Sequence, residues 1–361
     1  MKLAKKIYSL ELLRFFSAIS VLFWHYQHFW VEGATEGTTV ISPVSASDQP
    51  LYNLLSFFYY KGYLGVTVFW AISGFIFFHV YFDNIKNLKI NYKSFFISRF
   101  SRLYPLHLIT LLFVLALQIN FFNNLNHFVI YEYNDLKHFI LNFLLISHWG
   151  LQDGPSFNAP IWSVSVEILV YITFFTLVRF LKTFFIFFTA GIIFLILIIF
   201  DIRGGLTNCL FIFFSAGFIY LILIKLKDGY LNLFIFMIVT LLILNNTFIS
   251  EHYITNEYFY KLYININILC TISLFVKFDV FFKKLNLNTI SSFLGNLTYS
   301  IYLLQVPLQL VIFQISDSFD LEIPKENNYF LILYMLSIIF ISHFSYKFLE
   351  IPLKNYFRKV S

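Results

Sequence analysis

Charge is the first thing this sequence lacks. Asp, Glu, Lys and Arg together make up 12% of the 361 residues, about half the roughly 25% of soluble domains, too little to solvate a water-exposed surface. Cysteine is nearly absent: Cys209 and Cys270 both fall in or beside apolar stretches, which argues against a disulfide framework or a metal site and for core packing. No Gly/Ser-rich or Pro-rich linker divides the chain and no internal repeat is visible, so residues 1–361 are expected to form one domain. Alternation of polar and apolar residues is missing too, which removes a membrane β-barrel. No small-residue cleavage site follows the basic start MKLAKKIYSL, so the first apolar run reads as an uncleaved anchor. The net charge of +6 does not gather into a basic helix or recognition motif, and nucleic acid is not an expected partner.

What is present is hydrophobic length. Apolar residues make up 59% of the chain, in runs of about 17 to 25, the length that crosses roughly 30 Å of hydrocarbon as helix. The expected fold is all-α, a polytopic bundle in the lipid bilayer with about ten spans: 8–30, 62–83, 99–121, 161–180, 183–201, 205–225, 230–248, 260–277, 289–315 and 328–350. A further apolar run at 136–149 is too short to span and reads as re-entrant or interfacial. With the N-terminus cytoplasmic, Lys and Arg collect on the inner side (Lys5, Lys6, Lys86, Lys89, Arg99, Arg102, Lys283, Lys284 and Lys354 among them), while Lys61, Lys137, Arg203, Lys261 and Lys325 fall outside. That asymmetry places both termini inside. The outer segment 31–61, rich in Gly, Thr, Ser and Pro, reads as an irregular connection.

Polar residues inside such spans are costly, so each invites a functional question. Arg14 and His25 lie in the first span. Eleven positions return to within about 20° of the same helix face and separate the two by about 16 Å. Taken alone, Arg14 is a snorkelling cation paired with Glu11 one turn earlier, and His25 an interhelical hydrogen-bonder. Together they fit a phosphate anchor near the inner surface and a proton acceptor deeper in. Arg99 and Arg102, one turn apart, are positive-inside anchors or phosphate ligands. In APIWSVSVEILVY, Trp162 suits the outer aromatic belt, Ser163 and Ser165 can cap or bridge, and Glu167 lies at a depth where it could orient the His25 imidazole. Ser73 and Gly74 in GVTVFWAISGF permit close helix contact. GNLTYSIYLLQVPL puts Asn296, Tyr299, Ser300, Tyr302 and Gln305 on one helix, which implies a cavity or a polar network. Glu350, in FLEIPLKNY, is placed to pair with an inner arginine. His79 and His107 show no evident partner and are assigned to packing or the interface.

These motifs, in this order and over essentially the whole chain, resemble the acyltransferase-3 family of integral membrane proteins, which acylate sugars of bacterial surface polysaccharides. The markers are Arg14 and His25 at their spacing, GVTVFWAISGF, the pair Arg99 and Arg102, WSVSVE ending in Glu167, YSIYLLQ and FLEIP. The resemblance implies an acyl-coenzyme A donor on the cytoplasmic side of a bacterial inner membrane, a glycan hydroxyl as acceptor, and an essential histidine. Acetyl is the expected group because it is the common donor in families of this type. Two departures stand out. Gln305 occupies a position where members often have histidine, and no fused C-terminal hydrolase-like domain follows Glu350, so the chain completes transfer alone or hands the group to a separate acyl-carrying protein.

Arg14, Arg99 and Arg102 are expected to hold the donor phosphates, and the pantetheine arm to bring the thioester to His25, which is oriented by Glu167. Trp162, Ser163, Tyr299, Tyr302 and Gln305 line the substrate side, Glu11, Ser73 and Glu350 are structural, and no metal is needed. His25 acts as general base or is itself acylated. The rival class is a transporter or exporter of a lipid-linked glycan or small solute, since intramembrane His, Glu and Arg also serve proton relays.

Overall fold

A computed structural model describes residues 6–30, 47–199, 204–226 and 257–360, without the side chains of 257–259 and 358–360. All regular structure among these residues is helical. In order the helices are α1 (Tyr8–Tyr26), a 3-10 turn (Gln27–Trp30), α2 (Tyr52–Lys61), α3 (Leu64–Lys86), α4 (Tyr92–Leu125) and α5 (Leu136–Phe143). There follow α6 (Trp162–Phe180), α7 (Thr183–Ile199), α8 (Gly205–Lys225), α9 (Glu257–Lys284), α10 (Asn288–Phe319), α11 (Asn328–Ser345), a π turn (Tyr346–Glu350) and α12 (Ile351–Val360). The all-α bundle expected from composition is what forms.

Seven of the described helices are long and apolar enough to cross a membrane. Two further expected spans form as helices outside that set: α1, whose hydropathy is lowered by Glu11, Arg14 and His25, and α7, which has 17 residues. The expected span at 230–248 lies outside the described residues. One local reading changes: within the outer segment, residues 52–61 are helical rather than irregular. The apolar run at 136–149 forms a short helix over Leu136–Phe143.

Local chemistry explains several boundaries. Asn91 caps α4 by accepting from the Ser94 amide at 2.8 Å, and Asp135 caps α5 by accepting from the His138 amide at 2.8 Å. Pro307 lies inside α10 and carries no N–H, so the carbonyl four residues earlier, that of Leu303, loses its helical donor. Asn158 replaces it, donating from Nδ2 to Leu303 O at 2.9 Å in a buried setting.

The chain divides into two compact units. The first comprises 1–15, 66–90 and 170–295, and its centre is aromatic. Phe77 stacks on Tyr171 with centroids 4.1 Å apart, and Phe77, Phe78, Phe174 and Phe213 meet edge to face or tilted. A Cβ on Gly74 would overlap the backbone carbonyl of Phe213, and one on Gly217 would overlap the Phe78 ring. Close contact of this kind matters in lipid, where helices associate by packing rather than by excluding water.

The second unit comprises 16–65, 91–169 and 296–361. Leu111, Val114, Phe121, Val129, Phe157, Val306 and Leu310 form part of its apolar core. Every candidate site residue except Glu11, Arg14 and Ser73 belongs to it.

Candidate functional site

The site is built where α1 ends. A helix terminus leaves its last carbonyls without donors, and here Gln309 of α10 donates from Nε2 to His25 O at 2.8 Å. The other half of that buried amide is thereby fixed: Oε1 faces His28 Nδ1 at 2.9 Å and must accept from it. His28 consequently carries its proton on Nδ1, leaving Nε2 to accept from the Tyr131 hydroxyl at 3.3 Å. The His28 ring is stacked on that of His25, with centroids 5.0 Å apart and planes 29° from parallel.

His25 differs from its neighbour. Its Nδ1 is buried with no hydrogen-bond partner, although the residue as a whole is only half-buried. Gln305, one turn before Gln309, lies close enough to act on the imidazole. Its Nε2 donates to Tyr302 O at 2.9 Å, and its Oε1 makes no hydrogen bond of ordinary geometry. A glutamine cannot shuttle a proton but can orient a ring or a substrate, the part open to this position.

Tyr131 is held by the loop that follows α4. Gln118 clamps Val129 from both sides, donating to its carbonyl at 2.7 Å and accepting from its amide at 3.1 Å. Asn134 donates to Tyr131 O at 2.7 Å and accepts from the Phe157 amide at 2.6 Å. Ile130 takes a φ of +69°, which a β-branched residue rarely adopts. Burial, with a smaller contribution from Tyr302, pushes the Tyr131 phenol well above its ordinary value, so it remains a donor.

A second group sits at the start of α6. Ser163 Oγ lies 2.7 Å from Tyr302 Oη, and both reach Pro160 O, at 3.2 and 2.7 Å. With the Tyr302 proton on Pro160 O, its oxygen is left to accept from Ser163. Glu167 is one turn beyond Ser163, and its charge acts on both Tyr302 and Tyr299. Trp162 rests against His148, centroids 4.9 Å apart. Burial lowers the His148 pKa below 6.5, and its Nδ1 accepts from Gln152 at 2.6 Å. Ser165 is spent on structure, its hydroxyl accepting from the His148 amide and its carbonyl from the Trp149 indole.

Arg99 and Arg102 are half-buried on α4. Arg102 and Glu350 both act on Tyr299, whose hydroxyl donates to Leu103 O at 2.5 Å. Glu350 is buried in the π turn and accepts from Ser300. In the first unit Arg14 forms the ion pair with Glu11, at 3.6 Å, and Glu11 packs on Gly295 so closely that a Cβ there would overlap its carboxylate. Ser73 is half-buried on α3 beside the tightly packed Gly74. His107 has a partner after all, the carbonyl of Asn142 at 2.8 Å, which ties α5 to α4.

His28 and Gln305 act on the His25 ring, and Glu167 acts on Tyr299 and Tyr302. Tyr302 and Gln305 sit on successive turns of α10 and are joined by a hydrogen bond. Sequence reasoning missed His28, Tyr131, Gln309 and Asn158. The first and third leave a signal: His28 follows His25 by three residues and Gln309 follows Gln305 by four, the spacings of one helical face.

Fold and site together define a class, a helical integral membrane protein whose second unit buries a convergent layer of imidazoles, amides and hydroxyls. Among the described residues no group of three His, Cys, Asp or Glu could hold a metal ion. Comparison with protein families then matches residues 7–346 to the acyltransferase domain of the acyltransferase-3 family, and the chain belongs to that family. It is a membrane acyltransferase. Comparison with curated proteins and with solved structures finds no match.

Proposed function

We propose that the protein moves an acyl group, acetyl in the first instance, from acyl-coenzyme A to a hydroxyl of a surface polysaccharide or its lipid-linked precursor. The observation that carries this reading is the unpartnered, buried Nδ1 of His25 in a half-buried residue of a chain from an acyltransferase family. Buried polar atoms in proteins are almost always hydrogen-bonded, and an imidazole nitrogen left without a partner is available for a proton.

In the proposed reaction His25 takes the proton of the acceptor hydroxyl as its oxygen attacks the thioester carbonyl. The tetrahedral intermediate collapses with cleavage of the C–S bond, and the thiolate recovers the proton from His25, releasing free coenzyme A. Arg99 and Arg102 bind donor phosphate, for which planar guanidinium donors are suited. Arg14 is a further donor-binding candidate, read from the helix it shares with His25. Glu167 acts through Tyr302 and Tyr299 on the wall that receives the acceptor, with Trp162, Ser163 and Gln305 as further substrate-side groups. The setting is a bacterial inner membrane with both termini cytoplasmic, and the chain completes transfer alone or hands the group to a separate acyl-carrying protein.

The test is release of coenzyme A by purified protein supplied with labelled acetyl-coenzyme A and lipid-linked glycan. Acceptor-dependent release, lost in His25→Ala, is the expected result. A transporter of lipid-linked glycan would leave the thioester intact, so its absence sinks the proposal.

A further inference from the structure

We infer that Tyr131, His28 and Gln309 form a positioning relay that holds the catalytic imidazole in place and keeps a second, neutral imidazole stacked against it. The inference rests on the reading of His25 given above. Each link has one allowed direction: Tyr131 O–H to His28 Nε2, His28 Nδ1–H to Gln309 Oε1, and Gln309 Nε2–H to His25 O. The direction is dictated from the far end, because a backbone carbonyl can only accept. Flipping the Gln309 amide would set its Oε1 against His25 O and its Nε2–H against His28 Nδ1–H, and moving the His28 proton to Nε2 would set a bare Nδ1 against Gln309 Oε1; each leaves buried like groups facing one another, which costs about 1–3 kcal/mol.

Two consequences follow for His25. Its backbone is pinned at the helix terminus by Gln309, and its ring is confined on one face by His28. When His25 takes a proton in the reaction, the ring stacked on it stays uncharged, since both of its nitrogens are already committed. Transition-state charge therefore meets a polarisable neutral face and not a second cation. His28 touches neither donor nor acceptor in this scheme and acts through His25, so it is a positioning residue.

The experiment combines a spectroscopic and a kinetic readout on the full chain in nanodiscs. In 15N-histidine NMR, with the His28 signals assigned by their loss in His28→Asn, His28 should show a protonated Nδ1 and an unprotonated Nε2 at neutral pH. The opposite tautomer overturns the inference. Kinetically, with labelled acetyl-coenzyme A and lipid-linked glycan as probes, His28→Phe keeps the ring and removes both hydrogen bonds. It should lower kcat by about 10- to 100-fold and leave the donor KM within about 2-fold. His28→Asn restores the Nδ1 donor and should recover kcat to within about 3-fold. Equal kcat in His28→Phe and wild type, or equal loss in the Phe and Asn variants, overturns it. Tyr131→Phe, which deletes one hydroxyl, decides the matter if His28→Phe does not fold: an intermediate fall in kcat is expected, and wild-type kcat counts against the relay. His25→Ala separates the two readings. Full activity there removes the role of His25, whereas an inactive His25→Ala beside a fully active His28→Phe removes the relay alone.

Discussion

The two units of this protein spend their polar side chains differently. In the first, polarity links helices, Asn265 donating to Asn208 and Asn208 to Thr67, or closes on its own helix, as Arg14 does on Glu11. Around these links the packing is aromatic, with glycine admitting the closest approaches. In the second, amides and hydroxyls converge on two imidazoles, and the buried atoms without a partner of ordinary hydrogen-bond geometry include His25 Nδ1 and, beside it, Gln305 Oε1. The lesson is that a membrane interior can contain many polar atoms without being a site. What marks a site is the convergence of such atoms on groups that can carry a proton.

The comparison is broken most sharply at His25. His25→Ala should lower turnover by about 10²- to 10⁴-fold, the range for a positioned acid-base group, with donor binding intact by titration calorimetry. A similar loss with donor binding also gone would make His25 a binding residue. If the acyl group rests on His25 before transfer, a labelled protein adduct accumulates without acceptor; under single-turnover conditions the direct route leaves none.

Next come the guanidinium groups. Arg99→Ala and Arg102→Ala should each raise the donor KM by about 10-fold or more, as for loss of a charge-assisted hydrogen bond of about 1.5–3 kcal/mol. Unchanged donor affinity in both would remove them from the donor site.

The first unit should respond in stability rather than chemistry. Gly74→Ala should cost about 1–3 kcal/mol by overpacking, more than Gly217→Ala, because a backbone carbonyl yields less readily than the Phe78 ring. Thermal unfolding in detergent measures this, and the folded fraction should keep the wild-type donor KM.

The smallest effect is at His148. Its folded pKa lies below its unfolded value of 6.5 because burial disfavours the charged form. The unfolded chain therefore binds a proton first as pH falls, and stability is lost on passing below about pH 6.5, not gained. Comparing melting temperatures of wild type and His148→Gln between about pH 7 and pH 5 should show a shallower slope in the variant, and equal slopes would remove His148 from the pH dependence.

Much of the fold was legible because lipid imposes a simple rule: backbone groups must pair within a helix, so apolar length translates directly into spans. Nine of the ten expected spans coincide with helices, and the tenth falls outside the described residues. The helix at 52–61 was obscured by the Gly, Thr, Ser and Pro content of the segment before it. At the site, His25, Glu167, Tyr302 and Gln305 stood out as polar groups in apolar runs. Tyr131 and Asn158 did not, because both lie in loops where polar residues are ordinary. Their importance comes from a hydroxyl or amide arriving at one particular acceptor across 103 and 145 residues of chain. Only tertiary structure sets such distances.

Pro307 breaks the ladder of the helix that carries Tyr302, Gln305 and Gln309, and the missing rung is supplied from elsewhere by Asn158. That helix is therefore not self-sufficient: its course through the bilayer is set jointly with the segment leading into α6. Drift in that short connection would be felt as a change of pitch at the imidazole pair, giving evolution a handle on its geometry that leaves both rings untouched.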